Sequence, residues 1–205
     1  MRIRSQMAMV SAFMLTTLVA LGQAPAAVNQ HRLQALKPPV GAKVAVIVFE
    51  DLQCPDCARA HPLVKQVSEQ QKVPVVHRDF PLPMHNYSRQ AAIYARYFDT
   101  KSQKLGNAFR EYVFLNQAAI TPANLKEMVD KFAQSNGVTM PFLLDPGKRL
   151  EAKVEADVAL GKRIGIQHTP TIFVVGSGKK MSEPFVEVVD RSQLAKMIQD
   201  MKDAK

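Results

Sequence analysis

The only cysteines of the chain, Cys54 and Cys57, are separated by two residues in the segment FEDLQCPDCARAHP, residues 49–62. Such a pair fits three kinds of chemistry: half of a metal site, a structural cross-link, or a disulfide that is exchanged with other proteins. A cross-link between such close residues encloses so short a loop that it hardly constrains the unfolded chain. The spacing therefore argues against a purely structural disulfide.

A zinc site is the main competing chemistry, because Cys-X2-Cys supplies half of the usual four ligands. The other half is normally a second pair of Cys or His residues at close spacing. The five histidines form no such pair; they stand at positions 31, 61, 77, 85 and 168. Only His61 and His168 are plausible additional ligands, so the sequence favours redox chemistry and predicts no metal.

Cys54 is well placed to ionise if a helix begins directly after it. Pro55 suits the first helical position, where its missing N–H costs nothing, and the free N–H groups at that end would face the Cys54 sulfur. Sulfurs in such places have pKa values of ~3.5 to 7.5, against ~8.5 for a free thiol. We therefore predict that Cys54 is the nucleophile and that Cys57, nearly one turn later, is the resolving thiol.

Asp56, between the two cysteines, has opposing effects. Its charge disfavours a neighbouring thiolate, whereas its position in the first turn favours the start of the helix. We expect it to make the pair less oxidising than a histidine would at that position. The alternative is a first-turn acid with no chemical role.

The amino-terminal segment has the layout of a secretory signal peptide. Arg2 and Arg4 precede an uncharged apolar run at 7–21, which is followed by the alanine-rich segment GQAPAA. An uncleaved membrane anchor is the alternative, but the run is shorter than the ~20 residues that a spanning helix needs. We predict that residues 1–26 are a signal peptide and that the protein is exported to the periplasm or cell envelope, where a cysteine pair can persist as a disulfide.

The composition is that of an ordinary globular domain: 205 residues, of which 47% are apolar and 22% charged. Removing residues 1–26 would lower the formal net charge from +9 to about +7, because two arginines are lost. No block of like charges and no interleaving of basic and aromatic residues is present. We therefore expect no binding of nucleic acid.

The elements that must position the cysteines follow from the hydrophobic pattern. A β-branched run at 43–49 predicts a buried strand that ends just before the motif, and 73–80 predicts a second strand after the helix. The helical crossover makes these strands parallel. The segments at 171–175 and 185–189 predict an antiparallel hairpin around Gly176-Ser177-Gly178. The remaining pattern is helical, at 86–99, 103–115, 122–135 with Thr121 as its cap, 145–161 and 192–201.

The segments VFEDLQCPDC, RDFPLP and GIQHTPTIFVVG together resemble the DsbA-like group of thioredoxin-fold proteins. The resemblance implies an α/β thioredoxin-like fold, with a central mixed sheet flanked by helices. Its core would comprise residues 40–82 and 166–203, with an inserted α-helical domain at 83–165. By the same resemblance Pro170 follows a cis peptide bond beside the cysteines, Thr169 offers its backbone to an extended substrate peptide, and Pro62 kinks the active-site helix.

Three further side chains are candidate modulators of the cysteines. Many relatives carry a buried acid six positions before the first cysteine, where this chain has Val48. Glu50 lies on the same strand face and could replace that acid as a proton acceptor, but we favour a solvent-facing acid at the strand end. His168 could donate a hydrogen bond to the Cys54 thiolate. His61 could tune the thiols, but a partly exposed helix histidine without that role is favoured.

The sequence thus predicts an exported thiol:disulfide oxidoreductase, acting as a dithiol oxidase in disulfide-bond formation. A disulfide reductase or isomerase is the first alternative, and a non-enzymatic peptide- or metal-binding protein on the same scaffold is the second. No organic cofactor is expected, since the Cys54–Cys57 disulfide carries the electrons. The expected partners are cysteine-containing exported polypeptides and a membrane or soluble redox protein, and we expect a monomer.

Overall fold

The computed structural model describes Arg32 and residues 35–177 and 184–204. The predicted signal peptide, 1–26, and Gly178 of the predicted hairpin turn lie outside these residues. In the described part of the chain, no helix has both the length and the apolar character needed to cross a membrane.

The centre of the fold is a mixed sheet in the strand order β2-β1-β3-β4. Its strands are β1 (Val44–Glu50), β2 (Val75–Asp79), β3 (Thr171–Gly176) and β4 (Phe185–Glu187). The predicted parallel pairing of β1 with β2 is confirmed, as is the antiparallel pairing of β3 with β4. β4 is shorter than the predicted strand, because Asp190 caps a 3₁₀ turn by accepting a hydrogen bond from the Ser192 N–H at 2.9 Å.

Helices cover the sheet, and four of the described helices lie between β2 and β3 in the sequence. The helices are α1 (Pro55–Gln71), α2 (Ser88–Lys101), α3 (Gln103–Leu115), α4 (Leu125–Ser135), α5 (Arg149–Arg163) and α6 (Leu194–Asp203), with the 3₁₀ turn at Arg191–Gln193. All of the predicted helices are present, and the largest differences from the predictions are at the first residues of two of them.

Four helices begin later than the sequence predicts, and hydrogen bonds explain the two largest differences. α4 starts at Leu125, because Thr121 and Asn124 close a separate turn: the Thr121 N–H donates to the Asn124 side chain and the Asn124 N–H to the Thr121 hydroxyl. α5 starts at Arg149, because the Asp145 carboxylate accepts hydrogen bonds from three N–H groups of the first turn. The Asp145 carboxylate thereby satisfies N–H groups that a helix start leaves free.

The apolar side chains form three clusters. One sheet face packs against α1 and α6, and the other packs against Leu36, Phe80, α5 and the residues that follow α5. The third cluster fills the space among α2, α3 and α4, where the Phe98 and Phe109 rings lie 4.7 Å apart. Cys54 and Cys57 belong to this third cluster, so the cysteine motif sits where the helices between β2 and β3 meet the sheet.

Candidate functional site

Cys54 is the residue that precedes α1, as the sequence predicts. Its backbone is extended, with φ −74° and ψ 120°, and Pro55 occupies the first position of the helix. α1 continues through Pro62 to Gln71. Both cysteines are free thiols in this structure, and both are largely shielded from solvent, with exposed fractions of 7% for Cys54 and 2% for Cys57.

The surroundings of Cys54 favour its thiolate and lower its pKa to about 5. The largest cause is the hydrogen bond from the Cys57 thiol, and burial opposes it. Thr169 also lowers the pKa, as do the backbone N–H groups of Cys57 and Asp56. These backbone groups belong to the first turn of the helix, where a negative charge is stabilised.

Cys57 is in the opposite situation. Burial raises its pKa far above the ordinary range, and the hydrogen bond that it donates to Cys54 adds to this effect. The Asp51 N–H donates to its sulfur at 3.4 Å, which partly offsets the rise. The two neighbouring sulfurs therefore differ widely in acidity, so that one is ionised at neutral pH while the other keeps its proton.

The Thr169–Pro170 peptide bond is cis, and this loop lies directly against the nucleophile. The Cys54 thiol donates to the Thr169 carbonyl at 3.4 Å. This contact requires the protonated sulfur, because a thiolate has no proton to donate. Pro170 also borders a small cavity beside Cys57, so both residues of the peptide bond lie next to the cysteine pair.

His168, the preceding residue, does not act as predicted. Its side chain is exposed, and the described residues show no hydrogen bond from it to Cys54. The reason is the path of the loop, which brings the backbone of Thr169 to the sulfur, while the His168 carbonyl accepts a hydrogen bond from the Thr171 hydroxyl at 2.7 Å.

Asp56 is neutralised by arginines. Arg191, which begins the 3₁₀ turn before α6, forms a two-pronged ion pair with its carboxylate, and Arg59 donates to one of its oxygens at 3.1 Å. The hydrogen bonds from Arg191 are the main reason why the pKa of Asp56 lies below its ordinary value. The carboxylate charge therefore faces the thiolate with a guanidinium already bound to it, which weakens the predicted effect of Asp56 on the cysteine pair.

Glu50 is buried, with an exposed fraction of 4%, and the solvent-facing interpretation favoured from the sequence is wrong. Strand alternation correctly places it on the Val48 face, but α1 and α3 cover that end of the strand. Its carboxylate lies 2.7 Å from His77 Nδ1 and 3.7 Å from Arg110 Nε. Burial alone would raise the pKa of Glu50, yet the charges of His77 and Arg110 and the hydrogen bond with His77 hold it below the ordinary value.

His61 lies on α1, with its ring 5.0 Å from the Phe114 ring and 6.4 Å from the His77 ring between centroids. It is partly exposed, as expected, but its Nε2 is buried without a hydrogen-bond partner among the described residues. Burial is the main reason why its pKa is lowered. His61 and His168 were the candidate zinc ligands; within the described residues, no group of three or more His, Cys, Asp or Glu side chains is arranged to hold a metal ion.

Several residues that the sequence did not single out shape the site. The Gln117 amide donates to the carbonyls of Leu52 and Cys54, at 2.9 and 3.1 Å. Asp51 is buried and holds the same loop, since its carboxylate accepts from the Gln53 N–H at 2.7 Å and from the Leu82 N–H at 2.6 Å. His77, Arg110 and Arg191 are also new. Of these residues, only His77 could have been found from the sequence, because the predicted parallel pairing places its strand next to the strand of Glu50.

Comparison with known proteins agrees with this geometry. The family model described as Thioredoxin matches residues 40–199. No curated protein matches the chain significantly. Solved structures do resemble it, and all of those described here are less than 20% identical in sequence.

Three of these structures are similar over most of both chains. Wolbachia pipientis alpha-DsbA1 has a TM-score of 0.66 at 18% identity, covering 82% of this chain and 90% of its own. The thiol-disulfide exchange protein alpha-DsbA2 of the same organism has a TM-score of 0.66 at 16% identity, with coverages of 86% and 94%. A periplasmic thioredoxin-like protein from Salmonella enterica serovar Typhimurium has a TM-score of 0.62 at 18% identity, with coverages of 85% and 95%. The predicted fold, a thioredoxin-like mixed sheet flanked by helices, is therefore confirmed.

Proposed function

Because the chain belongs to the thioredoxin family, we propose that it is an exported thiol:disulfide oxidoreductase that donates the Cys54–Cys57 disulfide to protein substrates. The observation that carries this proposal is the unequal acidity of the two sulfurs. The pKa of Cys54 is lowered to about 5, whereas burial raises that of Cys57. An ionised outer sulfur beside a protonated inner one is the arrangement that disulfide exchange requires.

The reaction begins with attack of a substrate thiolate on the Cys54 sulfur of the oxidised protein. The Cys54–Cys57 bond breaks, a mixed disulfide forms between the substrate and Cys54, and Cys57 leaves and takes up a proton. A second substrate thiolate then attacks the substrate sulfur of that mixed disulfide. The substrate is oxidised to its disulfide, and Cys54 leaves as a thiolate. A thiol of low pKa is a good leaving group, so the environment of Cys54 favours this direction.

Substrate binding is assigned to the loop at Thr169 and Pro170. The Thr169 carbonyl lies 3.4 Å from the Cys54 sulfur, so a peptide that pairs with this backbone in a strand-like manner would present its own sulfur to Cys54. Pairing through main-chain hydrogen bonds tolerates many sequences, which suits an enzyme that acts on different polypeptides.

The direction of electron flow rests on the residues around the thiolate. Pro55 starts the helix at Cys54, and Arg191 compensates the charge of Asp56, which together with Thr169 would also suit a reductase or isomerase. Because a stable thiolate favours the reduced state, it makes the disulfide more oxidising. We therefore assign the protein the role of dithiol oxidase.

The cellular setting follows from the same proposal. Arg2, Arg4 and the apolar run after them direct export to the periplasm or cell envelope, where cysteine-containing polypeptides emerge reduced. A membrane or soluble redox protein would reoxidise the pair. The exchange itself needs no organic cofactor or metal, and the chain would act as a monomer.

The test is oxidative refolding of a reduced, unfolded protein with several disulfides, in a glutathione buffer. The wild type should accelerate the recovery of native substrate, and Cys54→Ser should abolish the acceleration. Lys126→Met, which alters only an exposed ion pair with Asp130, serves as the control and should match the wild type. If Cys54→Ser accelerates recovery as well as the wild type does, the protein is a binding protein and the proposal is wrong.

A further inference from the structure

The proposed reaction leaves one step without an assigned residue. When Cys57 resolves a mixed disulfide it must first lose its proton, and when it leaves it must regain one. Cys57 is only 2% exposed, so bulk water does not reach it. The position at which the resemblance expects an acid is occupied by Val48, which cannot exchange a proton.

A small cavity beside Cys57 indicates where the proton can go. Its volume is about 10 Å³, close to the smallest volume that holds one water molecule. Three ionisable side chains other than cysteine border it together with Cys57, namely Glu50, His61 and His77. The residues that line it are Val48, Glu50, Cys57, Ala60, His61, Val64, His77 and Pro170.

Glu50 is a poor proton acceptor in this setting. His77 and Arg110 hold its pKa below the ordinary value, so it remains a carboxylate. Its 2.7 Å contact with His77 Nδ1 instead fixes the imidazole, because a carboxylate accepts a hydrogen bond from a ring N–H. The described residues offer no hydrogen-bond partner to the other ring nitrogen of His77, which is therefore the nitrogen that can take a proton. An acid that orients a histidine base is a recurring arrangement in enzymes.

The pair of His77 and Glu50 is part of a larger charged network. Glu50 belongs to a contiguous network of ion pairs that lies largely in the interior. The network has one more carboxylate than guanidinium, and His77 contacts it at Glu50. The carboxylates are Glu50, Asp79, Asp99 and Asp157, and the guanidiniums are Arg78, Arg96 and Arg110.

His77 also connects the buried cavity with solvent. It lines a groove of about 530 Å³ between the second half of α1, the start of β2 and α3. His61 and Val64 line both spaces as well, so these three side chains form the wall between the groove and the cavity. A proton held by His77 can therefore leave to water in the groove without passing Cys54 or a bound substrate.

We propose that His77, oriented by Glu50, accepts the proton of Cys57 and exchanges it with water in the groove. In the resolving direction, the Cys57 S–H bond breaks and the proton passes to His77 through the cavity. The Cys57 thiolate then attacks the Cys54 sulfur, the Cys54–Cys57 disulfide forms, the mixed disulfide bond breaks, and the sulfur of the substrate or glutathione leaves as a thiolate. In the oxidase direction the same proton returns from His77 to Cys57. The electrons come from the sulfurs alone, so the step needs no other reactant.

The inference rests on the proposed function and is tested on a single step. Glutathione is attached to Cys54 as a mixed disulfide, and its release by Cys57 is timed at neutral pH. His77→Gln should slow the release about 10- to 100-fold, at the low end of general acid–base effects. Ser68→Ala, which removes a buried hydroxyl from the same groove, is the matched control and should release glutathione at the wild-type rate. The Cys54 thiolate should titrate unchanged in both variants.

Chemical rescue separates proton transfer from a structural role. His77→Ala leaves a space beside the groove, and added imidazole should restore much of the lost rate in this variant without accelerating the wild type. Wild-type release rates for both His77 variants would overturn the proposal, as would a slow variant that imidazole does not rescue. If the wild type itself does not release glutathione, the proposed function fails instead.

A variant of Glu50 is an independent test should the His77 variants not fold. The Glu50 carboxylate lies 2.7 Å from His77 Nδ1, so Glu50→Leu removes the group that orients the imidazole and should slow the release of glutathione. A wild-type rate in Glu50→Leu would contradict the proposal.

Discussion

The hydrogen bond from Cys57 to Cys54 is the largest single cause of the low pKa of Cys54, and it can be removed selectively. Cys57→Ala deletes the donor, whereas Cys57→Ser keeps a hydroxyl at the same place. A hydrogen bond to a charged group is worth ~1.5 to 3 kcal/mol, which corresponds to a factor of about 10 to 150 in the ratio of thiolate to thiol. We expect that ratio to fall by this factor in Cys57→Ala.

The effect is measured best at pH 5, where Cys54 is about half ionised because its pKa is about 5. Each variant has one cysteine, so the ultraviolet absorbance of the thiolate and the rate of alkylation report on Cys54 alone. Cys57→Ser should remain about half ionised, and Cys57→Ala should be less than about a tenth ionised. Equal ionisation in the two variants would refute the assigned cause. If the pKa of Cys54 were near the ~8.5 of a free thiol in both variants, the claim that the protein stabilises the Cys54 thiolate would be wrong.

Three further predictions concern charged residues near the cysteines. Arg191→Gln leaves the Asp56 carboxylate with only the exposed Arg59 as an ion-pair partner and should shift the equilibrium with glutathione toward the disulfide, whereas Asp56→Asn should not; titration of the disulfide fraction distinguishes them. Arg110→Met leaves buried carboxylates without their partner and should lower the free energy of unfolding by ~3 to 5 kcal/mol, whereas Lys126→Met, which removes a fully exposed ion pair, should hardly change it; urea denaturation would contradict this if the Arg110 loss were below about 1 kcal/mol. Because the folded protein lowers the pKa of Glu50, its contribution to stability is complete above about pH 4.5 and is lost as the pH falls through the folded value; acid should therefore destabilise Glu50→Gln less than the wild type, and equal losses would argue against it.

Local patterns were enough to predict the sheet and the position of Cys54. The β-branched run before the motif predicts β1, and Pro55 predicts the first residue of α1, because each depends on near neighbours in the sequence. The predicted first residues of the helices were less accurate. At Thr121 and Asp145 a side chain hydrogen-bonds backbone groups several residues away, and the sequence does not show where that bonding stops and the helix begins.

The environment of Glu50 could not be predicted from its own strand. Alternation gives the face on which it lies, but its burial depends on α1 and α3, and its ion pairs depend on His77 and Arg110, which lie 27 and 60 residues later in the sequence. Asp56 is similar, since its partner Arg191 is 135 residues away. Ion pairs between residues so far apart produce no periodic pattern in the sequence. They nevertheless determine how the Glu50 and Asp56 carboxylates affect the cysteines.

The equilibrium between the Cys54–Cys57 pair and glutathione tests the central claim most directly, measured by a gel shift after thiol alkylation. A stabilised Cys54 thiolate predicts an oxidising pair, with a reduction potential nearer to the about −120 mV of a strong disulfide donor than to the about −270 mV of thioredoxin. A potential near the thioredoxin value would contradict the oxidase assignment. Failure of the two cysteines to form a disulfide at all would contradict redox function altogether.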